Sequence, residues 1–385
     1  MKNKEKKVKN LILLYCKRLF AGASLLLFLA FLLTACSGNG ASASSSLNTV
    51  GLVHSDAFLA PLSQNTLGPQ PCPGKANNLS YWDKIIRTRG DAKVESVSCA
   101  KLIIYPGLQA LVLVRHHSTG SSADVYVYAN ILSDKPAQFF NLPGLLQGKA
   151  KISVYNTVLT AQAQNSSTLV PDLFREFKWS DGAGAFEQTV FPGMFPDMTC
   201  YQAEADQAEV NQGHQPWKLD ALITTKSALG LFKRDLNNPV TLVSGGGPHD
   251  AYAVVRGEAY PQGSGAFAII VKLSRLEGNT HGGIWEIVAV QGDHMALTAP
   301  VKGALLTSPT TVKGSAPLFE GEAGVVVILD SHYTEIGSAI ATGSPFSVRV
   351  SYTSSFHDGA QEGIVSLYHQ SGANTPFMVK VLLGA

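Results

Sequence analysis

Short runs rich in Val, Ile, Thr and Tyr recur along this chain, with glycine and proline scattered between them. That punctuation is the strongest limit on its fold, because short β-branched runs bounded by turn residues build sheets. In "ADVYVYANI", Val125 and Val127 alternate with Tyr126 and Tyr128, the pattern of a sheet with two different faces. "AKLIIY", "ALVLVR" and "KISVYNTVLTAQ" read as further strands, and "REFKWSDGAGAFEQTVF" predicts a hairpin turning at Asp181-Gly182. Residues 70–195 are therefore expected to form a mixed, mostly-β domain. Two helices interrupt the strands after that. Thr199 and Gln202 make a capping box for the first, which Gly213 closes. Leu222, Leu229 and Phe232 mark the second by their spacing. Strands "YAVVRGEAY", "AFAIIVKLSRL" and "GIWEIVAVQ" follow, so 196–298 is expected to be an α+β domain. One earlier helix is predicted in "SYWDKIIRTRG", with Trp82, Ile85 and Ile86 on one face and Gly90 as its stop.

The first forty residues belong to a different class of segment. Six of the first seventeen residues are lysine, Arg18 follows, and Glu5 is the one acid; from Leu19 to Ala35 there is no charge. A basic start, an apolar stretch and small residues before a cysteine make an export signal. A spanning helix has no reason to stop at a cysteine. Leu33, Thr34, Ala35 and Cys36 resemble the lipobox of bacterial lipoproteins. The resemblance implies a signal peptide over 1–35, a diacylglycerol on the Cys36 thiol, and cleavage that makes Cys36 the first residue. Two or more acyl chains hold a protein stably at a bilayer, each buried methylene contributing about 0.8 kcal/mol. Residues 36–69 are read as the lipidated cysteine and a Ser/Gly-rich tether. The ten residues after Cys36 would span about 17 Å as a flexible coil.

Seven of the 30 basic residues and one of the 28 acidic ones fall within the first 18 positions, so the rest carries 23 and 27, a net of −4. No Lys/Arg cluster with interleaved aromatics occurs, so nucleic acid is not an expected partner. Cys72, Cys99 and Cys200 remain for an oxidising compartment, where three single pairings are open. We favour Cys72–Cys99, which would tie the coil after the tether to the first strands and contribute roughly 3–4 kcal/mol.

Residues 299–385 divide into about seven short strands separated by turn residues. Phe346, Val348, Val350 and Tyr352 alternate with Ser347, Arg349 and Ser351, which predicts an immunoglobulin-like β-sandwich without an inter-sheet disulfide. Its opening, Ser308-Pro309, then Val312-Lys313-Gly314-Ser315-Ala316, Phe319-Glu320 and valines up to Asp330, resembles the Gmad-type immunoglobulin-like domain of bacterial spore-germination and related lipoproteins. The closing "EGIVSLYHQSG" and "FMVKVLL" fit that family's last strand pair. Asp330-Ser331-His332-Tyr333 stands where the family has an Asp-Gly turn. The likeness covers about a quarter of the chain and implies a cell-surface accessory or binding module, not a catalyst. The expected fold class is thus multidomain, β-rich α+β with a C-terminal immunoglobulin-like β-sandwich.

Signals for chemistry are sparse. There is no GxSxG elbow, no phosphate loop, no HExxH and no paired CxxC, so no catalytic residue, metal or cofactor is assigned. His249 and Asp250 follow three glycines that could form an anion nest. His357, Asp358 and Glu362 fall where a sandwich would have an end loop. These five are the candidate binding-loop residues. His116 and His117 are adjacent on a strand and point to opposite faces, so they do not share a metal. Trp82, Trp179, Trp217 and Trp285 each lie in an apolar period and are expected in the core. The expected function is a non-enzymatic lipoprotein on the extracytoplasmic side of the cell membrane, held through Cys36 and binding an envelope protein or wall polymer. The alternative is an envelope hydrolase acting on wall material, its site between the first two domains.

Overall fold

A computed structural model describes residues 68–117, 121–164, 170–243, 247, 249–256, 268–276, 282–354, 356, 359–369 and 375–384. After one short helix, eight strands run up and down in sequence order. β1 (Ala92–Ala100), β2 (Gln109–His116), β3 (Ala123–Ala129) and β4 (Ala137–Leu145) form one four-stranded antiparallel sheet. β5 (Lys149–Ile152), β6 (Val158–Gln162), β7 (Leu173–Ser180) and β8 (Ala185–Thr189) form a second. Short connections make each strand the neighbour of the one before it. Leu111, Leu113, Val125, Val127, Ile152, Val158 and Phe177 share the core between these sheets.

Helix α1 (Leu79–Ile86) covers the other face of the first sheet. Asn78 caps it by accepting the Ser80 N–H at 2.9 Å. Trp82 is fully buried among Val112, Val114 and Tyr128, and its indole N–H donates to the Ala76 carbonyl at 2.8 Å. The helix ends at Arg87, in the left-handed region (φ 58°), before the expected stop at Gly90. Cys72 and Cys99 are joined in a disulfide, Cα–Cα 5.0 Å, which fastens the coil ahead of α1 to the end of β1. Gln70 and Cys99 also exchange both backbone hydrogen bonds, at 2.8 and 3.1 Å.

Next come α2 (Cys200–Asn211) and α3 (Ala221–Ser227). Thr199 caps α2 by accepting the Gln202 N–H, as the spacing predicts. Asp220 caps α3, which stops at Ser227 while the expected apolar positions Leu229 and Phe232 continue into buried turns. The remaining strands are β9 (Val240–Val243), β10 (Asp250–Arg256), β11 (Ala268–Ser274), β12 (Glu286–Gly292), β13 (Ala296–Ala299), β14 (Leu305–Leu306), β15 (Thr310–Ser315), β16 (Glu322–Leu329), β17 (Glu335–Thr342), β18 (Phe346–Val350), β19 (Gln361–His369) and β20 (Thr375–Leu383). One nine-stranded sheet takes most of them in the order β17-β16-β19-β20-β12-β11-β10-β9, with β14 added alongside β20. β13, β15 and β18 form a small separate sheet.

The small sheet packs sandwich-like on one face of the large one. Val312, Phe346 and Val350 meet Val326, Ile328, Val365, Leu367 and Val381 there. Val327, Leu329, Ile364, Tyr368 and Met378 point the other way, into a core with Met194, Met198, Leu229 and Phe232. Both faces of the central strands are therefore covered, and all nine residues of β19 are buried. That is why "VVVIL" in β16 shows no polar alternation. Gly324 in β16 has φ +134°, and a Cβ there would collide with the Tyr368 carbonyl.

The described residues lie in one compact unit. Strands on either side of the boundary expected at 298/299 share the nine-stranded sheet, since β12 pairs with β20 through Val290 and Met378. The β-rich fold class matches the expectation from sequence. The sandwich, however, is not built from a sheet of its own.

Candidate functional site

Cys36, Leu33, Thr34 and Ala35 lie outside the described residues, as do His357 and Asp358. His249 is exposed and Asp250 is half-buried at the start of β10, where the His249 carbonyl accepts the Arg275 N–H at 2.7 Å. His116 Nε2 lies 2.9 Å from Asp124 Oδ2, across the β2–β3 pair. Trp82 and Trp285 are buried, while Trp179 and Trp217 are half-buried on different elements.

Glu362 corrects an expectation. It belongs to no loop but to strand β19, where it is 1% exposed and 3.0 Å from Lys380 Nζ, which is 0% exposed. The register places both on the face that points toward residues 191–199. That segment crosses the protein interior without regular structure, so its backbone polar groups must find side-chain partners. Lys380 Nζ donates to the Gly193 carbonyl at 2.7 Å and to the Met198 carbonyl. Glu362 Oε2 accepts the Phe191 N–H at 3.0 Å. The Tyr333 hydroxyl donates to the Met194 and Pro196 carbonyls at 2.9 and 3.1 Å. Met194 and Phe195 exchange backbone hydrogen bonds with Ile287, each at 2.7 Å.

A second group of charges closes the other end of the segment. Asp197 N–H donates to Glu286 Oε2 at 3.4 Å, and Lys218 Nζ lies 3.5 Å from Asp197 and in contact with Asp206. Burial, reinforced by the Asp197 carboxylate, pushes Glu286 well above the usual carboxylate range. Burial raises Asp197 too, against the pull of Lys218. Burial also pushes Glu362 up to about 7, with Lys380 opposing and Glu176 of β7 reinforcing. Burial lowers Lys380, while Glu362 holds its charge in place. Acids and bases thus converge at hydrogen-bond distance, but Glu286 and Lys380 have no exposed surface and Glu362 almost none. What they hold is backbone.

Exposed apolar side chains also line a groove elsewhere. A groove of about 710 Å³ opens between the β1–β2 and β3–β4 connections, lined by Pro73, Pro106, Leu108, Ile131, Leu132 and Lys135. Ile104 and Tyr105 stand exposed in the β1–β2 connection that forms its wall. Tyr105 contacts Phe139 at 5.4 Å, and Phe139 contacts Trp179 at 5.6 Å, continuing an aromatic row onto the second sheet. The groove has no convergent acids, and among the described residues no group of His, Cys, Asp or Glu could hold a metal ion. Among them, too, no helix is long and apolar enough to cross a membrane.

Sequence reasoning missed both features. Lys380 was visible as a lone charge inside "FMVKVLL", and Ile104 and Tyr105 as the end of an apolar run breaking at Pro106-Gly107. No protein-family model and no curated protein matches the chain.

Proposed function

We propose that the protein is a lipid-anchored binding or accessory module of the cell envelope, without catalysis of its own. The observation that carries this reading is Leu33-Thr34-Ala35-Cys36 at the end of an uncharged run that follows a lysine-rich start. Acyl chains on Cys36 would hold the body on the extracytoplasmic side of the membrane. The interior supports a non-catalytic role, because its converging charges are sealed from solvent and occupied with residues 191–199. A hydrolase would need acid and base facing a cleft that a substrate can enter. The sandwich-like packing of the last strands accords with a Gmad-type immunoglobulin-like module, and through it with an accessory role in the envelope, including spore germination.

Labelled palmitate tests the anchor. In cells making the full chain, label should attach and the protein should sediment with membranes. Cys36→Ser should abolish both. Label that persists on the serine variant would refute the anchor.

A further inference from the structure

The eight-stranded half has two ends, and they differ in chemistry. Connections 101–108, 130–136, 153–157 and 181–184 share one end, because the strands alternate in direction and each sheet is a simple up-and-down run. The contact between Phe139 and Trp179 brings the two sheets' tips together there. That end carries Ile104 at 72% exposure, Leu132 at 55%, Tyr105 at 51%, Val154 at 41% and Tyr155 at 37%. Ile104, Tyr105 and Leu132 stand on the two connections that border the groove, and Val154 stands on the connection that Gly68 meets, so large apolar side chains face outward on several tips of this end among the described residues.

The described chain begins at this same end. Gly68 N–H donates to Asn156 Oδ1 at 2.8 Å, beside Val154 and Tyr155. Pro73 lines the groove, and a Cβ on Gly74 would touch Leu132. Cys36 stands 32 positions before Gly68, a path of at most about 110 Å even when fully extended. We infer that these tips dock on the lipid surface to which Cys36 is anchored, a conclusion that rests on the lipoprotein reading above. The anchor keeps the tips at high effective concentration near the bilayer, so weak individual contacts suffice. Tyr105, Tyr155 and Trp179 are amphipathic rings of the kind that settle at a headgroup boundary. Lys75, Lys101 and Lys135 alternate with Asp134 and Asp181, and Lys75 pairs with Asp134 at 3.0 Å. With charge of both signs, docking should follow apolar contact and not depend on anionic lipid.

The experiment uses the full lipidated chain in phosphatidylcholine vesicles, with an environment-sensitive fluorophore on Leu132→Cys or, for comparison, on Ile340→Cys of β17. Brominated lipid should quench the Leu132 probe and its emission should shift to the blue. The Ile340 probe should do neither. Replacing Ile104 and Tyr105 together by Ser should weaken the quenching while the protein still sediments with vesicles. A Leu132 probe that stays in water on sedimenting protein overturns the docking and leaves the anchor intact. Protein that fails to sediment overturns the anchor beneath it. A probe indifferent to lipid but shifted by soluble wall polymer gives the patch to that polymer and sinks lipid docking.

Discussion

Burial lowers Lys380, and the acceptors around its ammonium oppose that loss of charge: Glu362 Oε2 and the carbonyls of Gly193 and Met198. Removing one member of a buried ion pair strands the other, at a cost of about 3–5 kcal/mol. Glu362 contributes to the pH dependence, beside Glu176, Asp197 and Glu286, which burial also raises. Its carboxyl is raised to about 7 in the fold, from an ordinary value of 4.5. The folded state then retains a proton that the unfolded chain releases. Its stabilisation is complete below the ordinary value and is lost as pH climbs to about 7. One proton of difference gives a slope of about 1.4 kcal/mol per pH unit. Urea titrations of Glu362→Gln should therefore show a flatter fall in stability across that window than the unaltered protein. Lys380→Met should behave oppositely: without its cation, Glu362 titrates still higher, and the deficit measured at pH 8 should shrink toward pH 5. An equal deficit at both pH values would show that the two do not act as a pair. Little of this was legible beforehand. "FMVKVLL" displays the lysine, but its carbonyl acceptors on Gly193 and Met198 lie more than 180 positions earlier, and spacing gives no access to contacts of that range.

At the scale of elements, strands and caps were mostly readable and ends were not. The Asp181-Gly182 hairpin and the Thr199 cap form as local chemistry predicts, because turn and cap residues act within a few positions of themselves. Helix α1 ends before Gly90 for a reason outside that range. The Asp83 carboxylate accepts the Thr88 hydroxyl and the Val94 N–H, both at 3.0 Å, and draws the chain off the helix into β1. The disulfide acts on the same corner. Cys72 and Cys99 are 27 positions apart, so the closed loop should contribute roughly 3–4 kcal/mol. A Cys72→Ala, Cys99→Ala double variant should lose about that much in urea melts. Proteolysis should then begin between Gly68 and Asn78, since Gln70 would keep only its two backbone bonds to the strand. If reduction of the unaltered protein leaves its melting curve in place, the bond stabilises nothing.

For the whole molecule, the question is where it divides. Strand patterning predicts a break at 298/299, because about seven short strands follow it and a sandwich is a self-contained unit in most chains. The sheet does not respect that break: β20 lies between β19 and β12, one from each side of the boundary. Periodicity could not show this, since strands buried on both faces look alike whether their second cover comes from the same segment or another. Expressed alone, residues 299–385 would keep the core around Val312, Phe346 and Val365 but bare the opposite face. Val327, Leu329, Ile364, Tyr368 and Met378 would meet water, with Lys380 and Glu362 between them and the edge of β20 left unpaired at Met378, where β12 had lain. An uncovered apolar face beside an open strand edge favours association over folding. The fragment should therefore bind a hydrophobic dye and aggregate, whereas 191–385, which retains α2, α3 and β9–β12, should stay monomeric. Size-exclusion chromatography with dye fluorescence separates the outcomes. A monomeric, cooperatively melting 299–385 would mean that the small sheet alone stabilises the sandwich and that the shared sheet is only an attachment.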